Sequence, residues 1–111
     1  MELDISTERD AAKCRITVGG EVDVYTSPQL KSHIVDAVDA GCVDLVVDLE
    51  GVTFIDSSGL GVLVSGLRRV KERDGSMRIV CTRESILKIL RITGLDKVFP
   101  IFSSVPDAEG F

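Results

Sequence analysis

The stretch "VDLVVDLEGVTFIDSSGLGVLVSGLRRV", Val43–Val70, decides the fold. Its opening, VDLVVDL, is continuously apolar at the centre, which suits a strand buried on both faces beneath crossover helices and therefore placed centrally in its sheet. The period then changes. From DSSGLG onward Leu60, Leu63, Val64, Leu67 and Val70 fall on one helical stripe, so a helix begins within that motif and runs to about Glu72.

Upstream, "CRITVGGEV" has the alternation and β-branched content of a strand, and it pairs with an earlier run near "LDIS" as a hairpin with "TERDAAK" between them. "TSPQLKSHIVDAVDAG" carries its own helix punctuation: Ser27 as cap, Pro28 at the first helical position, Gly41 past the last turn, and Leu30, Ile34, Ala37 and Val38 on one stripe. Downstream, "DGS" ends the crossover, "MRIVC" reads as a strand, "SILKILRITG" as a short helix closed by Gly94, and "KVFPIF" as an edge strand that tolerates Pro100. In "SSVPDAEGF" the cap-like Ser104 and Pro106 start a last, short helix. Strand and helix thus alternate after a hairpin, which predicts an α/β fold: a mixed sheet of about five strands with helices packed on it.

Length and charge bound the function. At 111 residues the chain reads as one domain, residues 1–111, and no window is long and apolar enough to span a bilayer. The start, "MELDISTERD", lacks the regions of a signal peptide, so a cytoplasmic protein is expected. A net charge of −5 argues against nucleic acid and anionic membranes as partners, and "LRRVKER" is diluted by Glu72 and Asp74 into one solvated helix face. Cys14, Cys42 and Cys81 are widely spaced among apolar neighbours and are expected to be buried reduced thiols. No CxxC pair occurs and His33 is the sole histidine, so neither a metal nor a cofactor is expected.

The hydroxyls of Ser57 and Ser58 stand where the strand hands over to the helix, at the carboxyl edge of the sheet, where α/β proteins commonly place function. One serine there needs no function, because serine is a preferred N-cap. The second is left with a free hydroxyl at the surface. Gly59, Val62 and Gly66 recur at helical spacing, either as a flat strip on the outer face that another protein approaches closely, or packed against the sheet or a neighbouring helix. Catalysis by the serines lacks a base: His33 falls on the polar side of the first helix, and there is no GxSxG elbow, P-loop lysine or GxGxxG turn. The loop "GGEVDVYTSP" brings Glu21, Asp23, Tyr25 and Thr26 to one end of the sheet; Glu21 reads as a turn residue, while Asp23 and Tyr25 offer polarity and anchoring area for a contact.

Taken in order, "GGEVDVYTSPQL", "VVDLEGVTFIDSSGLGVLVSGLRRV", "MRIVC" and "ILRITGLDKVF" resemble the STAS domain of bacterial anti-sigma factor antagonists, from about Ile16 to Phe102. The resemblance implies a partner switch. The unphosphorylated protein binds an anti-sigma factor of the histidine-kinase-like ATPase type and frees the sigma factor; the same partner phosphorylates the first serine of the D-S-[ST]-G-L motif, here Ser57, and a PP2C-type phosphatase reverses it. Asp23 is then expected beside Ser57, with Asp56, Ser58, Gly59, Val62, Gly66 and Tyr25 in or near the docking face. At a helix N-terminus the free amides and macrodipole accommodate a phosphate, so the fold survives modification while the interface does not. Family members usually finish with an amphipathic helix, and "PDAEGF" departs from that in being short and polar. Two other classes stay open: a STAS module that holds a nucleotide or other anion on the helix amides, and a scaffold subunit of a signalling assembly.

Overall fold

The computed structural model describes residues 3–110. Its sheet has five strands in the order β1 (Asp4–Asp10), β2 (Lys13–Val22), β3 (Asp44–Ile55), β4 (Ser76–Val80) and β5 (Ile101–Phe102). β1 and β2 are antiparallel and every later pairing is parallel, which gives the mixed sheet that the hairpin-then-crossover pattern predicts.

β3 is the middle strand, and its continuous apolar run follows from cover on both faces. Leu45, Val47 and Leu49 join the main core with Leu30 and Ile34 of α1 (Ser27–Asp39), Leu63 of α2 (Ser57–Lys71) and Ile86 and Leu90 of α3 (Glu84–Ile92). Val46 points the other way and packs with Val80 and with Ala108 of α4 (Val105–Glu109). The short, polar tail therefore has a packing role. Ser104 caps α4 by accepting from the Asp107 amide, and that one turn seals Ala108 against the second face.

Four local readings need correction. The hairpin is tighter than expected: Asp10 pairs with Lys13, so only Ala11 and Ala12 turn the chain, and Thr7–Asp10 are strand because ladder bonds need no buried side chains at an edge. The N-cap of α1 is Thr26, not Ser27. "KVFPIF" is mostly not strand; Leu95–Lys97 wind into a 3₁₀ turn after Gly94 (φ 76°), and β5 is only Ile101–Phe102, preceded by Pro100, which accepts from the Ile79 amide but has no amide of its own to donate.

The fourth correction concerns the cysteines. Cys14 and Cys42 are joined by a disulfide with Cα atoms 5.8 Å apart. They are far apart in sequence, but the parallel register sets Cys14 opposite Leu45 and so brings the α1–β3 connection over the start of β2. Cys81 alone is a free, buried thiol, as expected of all three, and burial pushes its pKa up.

Candidate functional site

The parallel pairing of β2 and β3 ends at Val22 and Ile55, and this fixes two loops side by side at the carboxyl edge of the sheet. The Asp56 amide donates to the Val22 carbonyl at 3.1 Å, which draws the start of α2 against the end of β2. Asp56, in extended conformation, is the N-cap of α2. Its Oδ1 accepts from the Ser58 amide at 2.9 Å, from the Gly59 amide at 3.3 Å, and from the Ser58 hydroxyl. The Ser58 hydroxyl first, and then the amides, hold the Asp56 carboxyl below the usual carboxylate range, with desolvation pulling the other way. The cap is thus an aspartate rather than a serine.

This arrangement separates the adjacent serines. Ser58 turns back onto Asp56 and is partly buried, whereas Ser57, the first residue of the helix, is exposed. Among the described residues no side-chain hydrogen bond engages the Ser57 hydroxyl. Of the two hydroxyls it is the more exposed.

The neighbouring loop is built by Asp23 and Thr26. Asp23 Oδ1 accepts from the Tyr25 amide at 2.9 Å and the Thr26 amide at 3.0 Å, while the Thr26 hydroxyl donates to the Glu21 carbonyl at 2.7 Å. With its polar groups satisfied internally, the loop turns Tyr25 and Val24 outward: they are 86% and 62% exposed. Phe54, opposite Glu21 in the register and 47% exposed, adds a third apolar surface. Sequence reading found Tyr25 but missed Val24 and Phe54. Phe54 follows a register shift between Gly20 and Glu21, which breaks the alternation that would have flagged it.

Of the two readings of the glycines the packed one holds, which takes Gly59 and Gly66 out of the expected docking face. A Cβ on Gly59 would lie 2.6 Å from Val22 Cγ1 and 2.7 Å from Ile55 Cγ1; one on Gly66 would lie 2.7 Å from Met77 Cε and 3.0 Å from Ile34 Cγ2. Both glycines are buried against the sheet and α1, so they let α2 come close to its own domain and present nothing to a partner. Their spacing carried the signal, because Gly59, Leu63, Gly66 and Val70 share one helical stripe and the stripe is the core side. Val62 is half-buried and packs on that core. The outward small residue is Gly61, where a Cβ would meet nothing within 4 Å, one turn beyond Ser57. His33 lies on α1 at 3.4 Å from the Thr7 hydroxyl, among β1 residues.

The site therefore has Asp23, Tyr25, Asp56 and Ser57 of the sequence-derived set at the surface, with Val24, Phe54 and Gly61 beside them. It presents a solvent-facing hydroxyl at the start of a capped helix, next to the Asp56 carboxylate and exposed apolar side chains.

The pattern of the STAS domain matches residues 4–108. The chain is 31% identical over 101 residues to an anti-sigma-B factor antagonist of Bacillus subtilis, covering 91% of this chain and 92% of that protein. With the anti-sigma-B factor antagonist of Staphylococcus aureus it shares 36% over 95 residues, covering 86% and 88%. The crystal structure of an anti-sigma factor antagonist from Mycobacterium paratuberculosis superposes with a TM-score of 0.88 at 29% identity, covering 97% of this chain and 92% of that one. Among the described residues no helix is long and apolar enough to cross a membrane.

Proposed function

This chain belongs to the STAS-domain family, among the anti-sigma factor antagonists, and on that premise we propose that it is a cytoplasmic regulatory binding protein whose docking is switched by phosphorylation of Ser57. Unmodified, it docks an anti-sigma factor and so frees a sigma factor. The partner is a serine kinase of the histidine-kinase-like ATPase type, which supplies the ATP, and a PP2C-type phosphatase restores the hydroxyl. The chain itself is no enzyme in this reading.

The observation that carries the proposal is the division of labour between the serines. Asp56 and Ser58 hold the first turn of α2 together, so Ser57 is free to be modified without loss of the cap. A phosphate brings about −1.5 to −2 charges at neutral pH. The Ser58 and Gly59 amides already bond Asp56, so the added charge is not neutralised by them, contrary to the expectation of free amides, and it stands beside an ionised carboxylate. The fold tolerates this in water. A docked complex would have to desolvate it, and an uncompensated buried charge costs roughly 3–5 kcal/mol.

The same occupied amides count against the anion-binding alternative, because a nucleotide phosphate would have to displace the Asp56 carboxylate from its own cap. Isothermal titration with nucleotides in the absence of any partner checks that. The test of the main proposal is incubation with ATP and candidate ATPase partners, followed by mass spectrometric mapping. Modification at Ser57 alone, and its loss in Ser57→Ala with binding retained, is the expected result; modification at Ser58, or equal docking by Ser57→Ala and Ser57→Asp, refutes it.

A further inference from the structure

At the opposite end of the parallel strands Cys14, near the start of β2, and Cys42, in the connection from α1 to β3, form a disulfide across 28 residues of sequence. The main chain there is held without it. The Val43 and Asp44 amides both donate to the Ala12 carbonyl at 3.1 Å, and the Cys42 amide donates to the Ala37 carbonyl at 2.9 Å. With Cys14 registered on Leu45, the backbone hydrogen bonds hold the two Cα atoms 5.8 Å apart, within the range a disulfide spans.

Access is narrow but present. The side chains of Cys14 and Cys42 are only 4% and 1% exposed, yet both line a surface cleft of about 230 Å³ walled by Thr7, Arg9, His33 and Asp36. Such a cleft admits the reactive end of a small thiol and excludes a folded protein. Cys81, the residue after β4, is buried in the main core, has its thiol pKa pushed up by burial, and does not compete.

We propose that Cys14 and Cys42 are a reversible redox site whose reactant is a low-molecular-weight thiol or its disulfide, reaching the sulfurs through this cleft. In the reducing direction a small thiolate attacks one sulfur, forms a mixed disulfide with it, and expels the other as a thiolate that takes up a proton. A second small thiolate attacks the small reactant's sulfur in that mixed disulfide and frees the first cysteine, which is protonated in turn. Two electrons reach the protein, and one protein disulfide plus two small thiols become one protein dithiol plus one small disulfide. Because the backbone frame persists, the reverse reaction closes the same pair. The site holds or fails independently of the partner switch.

The test is equilibration of the full chain, without denaturant, in glutathione buffers stepped from oxidised to reduced. Acid quenching, unfolding, alkylation and mass mapping then count the free thiols. The expected result is one alkylated cysteine, Cys81, at the oxidising end and three at the reducing end, with Cys14 and Cys42 changing together and reversibly. The oxidised form should melt higher by on the order of 10 °C, since the cross-link restricts the unfolded chain. Cys14→Ser and Cys42→Ser should each remove the redox dependence of melting, and either variant suffices if the other does not fold. Three free thiols in every buffer, one free thiol even at full reduction, or a bond to Cys81 would overturn the proposal.

Discussion

The first turn of α2 and the stripe that follows it along the same helix both depend on small residues, serines at the turn and glycines in the stripe, and use them in opposite ways. At the turn, Ser57 is free because Asp56 and Ser58 carry the hydrogen bonding, so the residue that can be modified is not the residue that holds the structure. Along the stripe, Gly59 and Gly66 are small because Val22, Ile55, Met77 and Ile34 occupy the space where a side chain would be. Small size means access in one place and tight packing in the other. A switch needs that separation, since a modification that also loosened the core would be read as unfolding.

The separation can be broken by substitution. The largest expected effect is on docking: Ser57→Asp should weaken affinity for the kinase-type partner by a hundredfold or more, about 2.7 kcal/mol, with the melting temperature unmoved. Calorimetric titration beside a thermal melt reads both. Next in size is Gly59→Ala, whose added methyl meets buried branched side chains. Overpacking of that kind costs about 1–3 kcal/mol, and the better helix propensity of alanine returns about 1 kcal/mol. Urea denaturation should therefore show a net loss, while docking per folded molecule stays the same.

Tyr25→Ala tests the exposed loop, where truncating an interfacial aromatic typically costs more than about 1 kcal/mol of affinity. Binding should fall roughly tenfold with no change in the urea midpoint. Asp56→Ala removes the cap and should lower the melting temperature at neutral pH. The Asp56 pKa is lowered in the folded state, so its stabilisation is complete above the ordinary carboxyl value, about 3.9, and is lost as pH falls through the folded value. The gap between wild type and Asp56→Ala should accordingly close in acid, as melts across that range would record. The smallest effect is expected for Gly66→Ala. The tightest contact there is the far end of Met77, a flexible chain that can swing aside, so overpacking and helix propensity should nearly cancel.

Much of this architecture was legible from residue pattern. The apolar run of β3, the Leu60–Leu63–Val70 stripe, and the glycines at 41 and 94 each encode their element locally, through burial, period or positive φ. What escaped depended on distant parts of the chain. The Cys14–Cys42 bond follows from β2–β3 register; β5 is short because the 3₁₀ turn at Leu95–Lys97 takes up the residues before it; Phe54 is turned out by a register shift. At the site itself, the order D-S-S told of a cap and a spare hydroxyl but not which residue was which. That choice lies in the geometry of Asp56, whose single oxygen gathers three donors, two amides and the Ser58 hydroxyl.

The most direct measurement compares the unmodified chain with the same chain phosphorylated to completion at Ser57, each titrated into the kinase-type anti-sigma factor and each melted alone. Affinity lower by a hundredfold or more at an unchanged melting temperature is the predicted result. Equal affinity, or a phosphorylated chain that melts many degrees lower, would contradict the account.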